Sequence, residues 1–153
     1  EGNFVFLGSP LSNPWVGRFA ERMQFREQSG APGKREFLNV RPQSGEERVY
    51  RSFEWTGTRG GEYATISVLP METGRGRALI VQGLHQEGTE AAFAMLASRE
   101  GRERLLAALG VNERTAKGQA FEVLLRFQAM AGVANDGEVV AVRRGEPVTQ
   151  ARR

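Results

Sequence analysis

The chain contains no cysteine, which excludes disulfides, thiol nucleophiles and thiolate metal sites. Its single histidine, His85, excludes any metal site built from a pair of histidines. No stretch approaches the ~18 apolar residues that a membrane span needs, and no secretory leader pattern is visible. Lysine is scarce: Lys34 and Lys117 are the two among 21 basic residues, and the arginines are scattered. A nucleic-acid binder gathers its basic residues on one face or helix, so direct nucleic-acid binding is not expected. No acidic cluster suggests a Mg²⁺ site. These absences leave a cytoplasmic protein with no membrane contact, no metal and no cofactor as the expectation.

What is present fits an ordinary globular domain. The 153 residues, 40% hydrophobic and 25% charged with a net charge of +3, are enough to bury a real core. The chain starts at Glu1 without Met and reaches an apolar run by Phe4, which reads as a domain cut from a longer protein. No repeat or linker divides it. Residues 1–147 read as one domain and residues 148–153 as a frayed tail.

Phe4 to Leu7 reads as a short, fully buried strand. Asn13 and Pro14 follow as N-cap and first helical residue. Trp15, Phe19 and Met23, spaced by four, predict one apolar helix face running to about Gln24. Glu27 to Lys34 is a loop by composition, and residues 36–42 a strand. Arg48 to Trp55 alternates with period two, and Tyr63 to Met71 becomes strongly apolar, so the two predict an antiparallel hairpin. Tyr50, Phe53, Trp55 and Tyr63 are read as sheet-face packing rather than a base-stacking platform.

Ala78 to Gly83 is a second buried run. A helix follows with Thr89 as N-cap, Glu90 in its first turn and Ala91, Ala92, Met95 and Leu96 inward. A second helix or a kinked continuation ends at Gly110. Residues 120–132 and 137–148 predict two more strands joined through Asn135-Asp136-Gly137, although the pattern of residues 122–131 also fits a helix. The order β-α-β-β-β-β-α-(α)-β-β predicts an α/β fold, a single three-layer α/β/α-like domain with a mixed, partly antiparallel sheet.

Two stretches carry the candidate chemistry. "VFLGSPLSNPW" joins a strand, a glycine turn and a helix start, the geometry that presents backbone N–H groups to a polar or anionic ligand. "QGLHQEGTEAA" repeats that plan. If the two strands are parallel neighbours, both loops share one sheet edge, where open α/β sheets bind ligands. The candidate ligand-binding residues are therefore Gly8, Ser9, Ser12 and Asn13 with His85, Gln86, Gly88 and Thr89. Neither stretch has a dinucleotide or P-loop pattern. No catalytic set is assembled; His85 with Glu90 is the alternative acid/base pair.

At Gly8, Ser9, Pro10, Ser12, Asn13, Pro14 and Trp15 the chain resembles an uncharacterised bacterial α/β domain with the pattern strand–Gly-[Gly/Ser]-Pro-x-[Ser/Ala]-Asn-Pro-Trp–helix. Gly83, the "TEAA" of Thr89 to Ala92, the late "FEVLL" and "VVA.RR" extend the resemblance over nearly the whole chain. The resemblance implies a position C-terminal to a winged-helix DNA-binding domain, and no activity. The expected function is a non-catalytic ligand-sensing or interaction domain of a larger regulatory protein. The alternatives are an enzyme acting on a nucleoside or phosphorylated metabolite, and a homodimerisation module using aromatics between Arg48 and Met71.

Overall fold

The computed structural model describes residues 2–31, 34–54, 56, 59–131, 133–135 and 137–145. The elements are β1 (Phe4–Leu7), α1 (Pro14–Gly17), a 3₁₀ turn (Ala20–Arg22), β2 (Phe25–Ser29), β3 (Arg35–Asn39), β4 (Val49–Arg51), β5 (Arg59–Pro70) and β6 (Arg77–Gly83). They continue with α2 (Gln86–Ala97), α3 (Arg99–Leu109), α4 (Glu113–Ala116), β7 (Phe121–Met130), β8 (Val133–Ala134) and β9 (Glu138–Arg144). The fold is α/β, and its main sheet is mixed. The strand order is β1-β6-β5-β7, with β8 and β9 both pairing with β7. The β1–β6 pair is parallel and the others are antiparallel. A second, antiparallel sheet has the order β2-β3-β4.

Period-two alternation sends side chains of the main sheet to two faces, with one apolar cluster on the first and two on the second. Ala64, Ile66, Val81, Val123, Leu125 and Phe127 pack under Ala92 and Met95 of α2 and Leu105 and Leu109 of α3. On the other side, Leu69, Ala78 and Ile80 meet Val16, Phe19 and Met23. Leu84, Leu124 and Ala141 meet Phe25, Phe37 and Tyr50. Burial on both faces explains why β6 and β7 read as nearly continuous apolar runs. Ser98 ends α2 and caps α3, its Oγ accepting the Gly101 N–H at 2.9 Å. Gly110 closes α3 at φ +62°, as its sequence position indicates.

Several expectations need correction. β1 is not a buried strand: it is an edge strand, and Phe4, Val5 and Leu7 are exposed. The helix from Asn13 to Gln24 is one α turn followed by a 3₁₀ turn, and Trp15 is exposed while Val16, Phe19 and Met23 are buried. The loop expected at Glu27 to Lys34 starts later, because Glu27, Gln28 and Ser29 belong to strand β2; residues 32 and 33 lie outside the described residues. The polar side chains of β2 pair across the small sheet, Arg35 Nε donating to Glu27 at 2.5 Å and Gln28 to Glu36 at 2.7 Å. The hairpin expected from Arg48 to Met71 divides between two sheets. β4 pairs with β3, and the segment after it meets β5 through the isolated bridge Phe53–Gly61.

Tyr50 is buried, and its ring and that of Phe53 lie 5.1 and 6.1 Å from Tyr63. Phe53 and Tyr63 are half-buried, and the three rings pack against one another. The 48–71 segment's Trp55, the turn's Asp136 and residues 146–153 lie outside the described residues.

Candidate functional site

Because β1 and β6 run parallel side by side, the loops leaving them open on the same end of the sheet. Between them lies a cleft of about 580 Å³. Gly8, Ser9 and Ser12 line it from the first loop, and Gly83, His85, Gln86, Thr89 and Glu90 from the second. The structure therefore brings together six of the eight candidate ligand residues. Asn13 and Gly88 are not in its wall.

The first loop is held by its own hydrogen bonds. Gly8 turns the chain at φ +92°, a conformation that favours glycine, and donates its N–H to Val81 O at 2.9 Å. Ser12 Oγ accepts the Ser9 N–H at 3.0 Å, and Ser9 Oγ accepts the Leu11 N–H at 3.3 Å. Asn13 is the N-cap of α1, accepting the Trp15 N–H at 3.2 Å while its amide donates to Leu7 O at 3.2 Å. Its role is to join strand and helix.

The second loop differs from its sequence reading. The N-cap of α2 is His85, not Thr89. Thr89 lies inside the first turns, where its hydroxyl accepts the Gly83 N–H at 2.9 Å and fastens helix to strand. No side chain of the loop caps α2. That role falls to Glu62 of β5, completely buried beneath the helix start. Glu62 Oε2 accepts the backbone N–H of His85 at 2.8 Å, and the Gly88 N–H also bonds this carboxylate. Its Oε1 has no hydrogen-bond partner among the described residues. A Cβ on Gly88 would stand 2.6 Å from Oε2, so Gly88 is there to admit the carboxylate. Burial pushes the Glu62 carboxyl up to about 7, against the pull of the two backbone donors.

This arrangement changes the chemistry expected of the cleft. The positive end of α2 already faces an internal carboxylate, so an anion at that helix end would compete with Glu62. The polar groups that remain on the wall are side chains. Gln86 Nε2 donates to Glu90 at 2.6 Å, both on the exposed first turns of α2. Arg35 enters from β3, with Nη2 buried and without a hydrogen-bond partner among the described residues. The His85 ring is pushed below its ordinary value, first by burial and then by Arg35. Sequence reasoning missed Arg35 and Glu62. Both arrive from strands that no local spacing connects to these loops.

A second buried carboxylate lies on the opposite face. Glu122 of β7 accepts from the backbone N–H groups of Gln24 at 2.8 Å and Phe25 at 3.4 Å, and from Ser67 Oγ at 3.4 Å. Burial raises it to about 7 as well. It ties the start of β2 to the main sheet as Glu62 ties α2. Nearby, Arg143 grips Glu46, Asn39 and the Arg41 carbonyl and lies over the Phe25 ring. Its hydrogen bonds hold the Glu46 carboxyl at about 2. No cluster of three or more histidine, aspartate or glutamate side chains able to hold a metal occurs among the described residues. No described helix is long and apolar enough to cross a membrane.

Compared with known proteins, the chain matches no family model, no curated protein and no solved structure. The functional reading therefore rests on the cleft itself.

Proposed function

We propose that this chain is a non-catalytic sensing domain that binds a small polar ligand in the cleft between the Gly8–Ser12 and Gly83–Glu90 loops. One observation carries the reading: two strand-to-helix loops leave adjacent parallel strands and enclose about 580 Å³, within the usual size of small-molecule sites. Gln86 and Glu90 offer donors and acceptors at the cleft, and Arg35 adds a cationic residue to its wall. The domain is layered about its main sheet, with α2 and α3 on one face and the small sheet, α1 and the 3₁₀ turn on the other. The resemblance at Gly8 to Trp15 supports a setting within a larger bacterial regulator. A phosphate-bearing ligand is disfavoured because Glu62 already occupies the positive end of α2.

The test is a thermal-shift panel of nucleosides, nucleotides, sugar phosphates, free sugars and amino acids. It is run on wild type and on a Gln86→Ala, Glu90→Ala double variant. Both side chains are exposed, so the variant retains the fold. A compound at ~100 times its Kd adds about 2.7 kcal/mol and raises the melting temperature. The expected outcome is a shift in wild type from an uncharged or zwitterionic compound, lost in the variant. A panel without any shift, or a shift that the variant keeps in full, overturns the reading.

A further inference from the structure

Six exposed apolar side chains gather around one edge of the main sheet. Phe4, Val5 and Leu7 of β1 are 45, 59 and 46% exposed. Leu11 and Trp15, just beyond the strand, are 80 and 59% exposed. Phe93, 45% exposed, lies on the α2 stripe that carries Gln86 and Glu90, whose cleft also includes Leu7. Residues 2–17 contain no charged side chain, in a chain where 25% of residues are charged.

The other sheet edges are guarded in the ways that prevent strand addition. β9 carries Glu138, Arg143 and Arg144, β8 is two residues long, β2 carries Arg26 and Glu27, and β4 carries Arg51. β1 has no charge, no proline and no bulge. Its inner side is paired with β6 along its whole length, and its outer backbone edge pairs with no described strand. Among the described strands it is the edge without such protection.

We infer that β1 is the two-fold contact of a homodimer, in which the β1 strands of two copies pair antiparallel and join the main sheets into one. A second copy is the fitting occupant for three reasons. Antiparallel pairing of one strand with itself satisfies two-fold symmetry, each copy presenting the same patch. The absence of charge over residues 2–17 matches homodimer interfaces, which are more apolar and depleted in charge at their core. The six side chains expose roughly 600 Å² per copy on the area scale of large apolar residues. With the adjoining backbone edge, that approaches the about 800 Å² per partner of a standard interface. Antiparallel pairing also sets the N-terminal end of the partner strand beside Leu7, at the mouth of the cleft. The dimer does not depend on the ligand-binding proposal, and a ligand-free preparation tests it.

The experiment is sedimentation equilibrium of the chain from about 1 to about 100 µM, on wild type, Val5→Glu and Val133→Glu. Val5 and Val133 are both strongly exposed, but Val133 lies on β8, away from this edge. Wild type and Val133→Glu are expected at twice the chain mass, and Val5→Glu with a dissociation constant at least 100-fold higher. Because the chain has no cysteine, a Val5→Cys variant treated with a short bis-maleimide is expected to link to its own counterpart. This second readout stands even if Val5→Glu fails to fold. A monomer throughout the concentration range overturns the proposal. A dimer that Val5→Glu leaves intact, together with no Val5→Cys crosslink, does so too.

Discussion

Replacing Glu62 with glutamine tests the account of how α2 is held. The carboxyl titrates near 7 in the fold, raised from 4.5 by burial. Below pH 4.5 it is neutral in both folded and unfolded chains and costs nothing. Between 4.5 and 7 the unfolded chain releases the proton first, so stability falls as pH rises. Above 7 both states are ionised and the full cost is present, about 3 kcal/mol. Glutamine keeps an oxygen for the His85 and Gly88 N–H groups but does not titrate. It also places an amide NH₂ where Glu62 Oε1 finds no partner, a pH-independent penalty of about 1–3 kcal/mol. The quantity to follow is therefore the difference in unfolding free energy, Glu62→Gln minus wild type, as a function of pH. That difference should rise by about 3 kcal/mol from pH 4.5 to pH 8, whatever its starting value. Contributions from His85, Glu46 and Glu122, present in both proteins, largely cancel. Urea unfolding followed by tryptophan fluorescence measures it. Parallel pH profiles for the two proteins would refute the assignment of Glu62 as a carboxylate ionised against burial.

Glu122→Gln should flatten the same pH window in the same sense, because Glu122 is also raised to about 7. With both glutamates replaced, the decline of stability between pH 4.5 and 7 should largely disappear from urea-unfolding profiles. Gly88→Ala should destabilise the fold by about 1–3 kcal/mol, since the new Cβ meets Glu62 Oε2 at 2.6 Å; amide exchange should rise first at the start of α2. Arg143→Ala should cost about 1–3 kcal/mol by removing the charged donors that hold the partly buried Glu46 carboxylate, read as a lower urea midpoint at pH 7. That loss should shrink as pH falls through the Glu46 value of about 2, where the carboxylate no longer needs its partner.

The parts of the fold legible in the sequence are those set by local chemistry. Asn13 and Pro14 start a helix because a side-chain oxygen and a missing N–H suit that position. Gly110 ends α3 because glycine enters the left-handed region without steric cost. The apolar runs of β6 and β7 are strands with two covered faces. Even the shared end of the two strand-to-helix loops could be read conditionally, and the parallel β1–β6 pair meets that condition.

Lateral position was not legible. "FVFL" has the composition of a buried strand, but burial depends on what lies beside it, and no described strand pairs with the outer side of β1. Glu27 to Ser29 look like a loop because the polar side chains there find partners across strands, Glu27 with Arg35 and Gln28 with Glu36. The cleft divides in the same way. Gly8, Ser9, Ser12, His85, Gln86 and Thr89 reach it through their own chain segments, whereas Arg35 reaches it only through the folding of the small sheet. Glu62, 23 residues before His85, caps α2 only because β5 pairs with β6 and runs beneath the helix. Sequence spacing carries the periods of helix and strand; which strand lies next to which is decided by tertiary packing, and with it the charge at the head of α2.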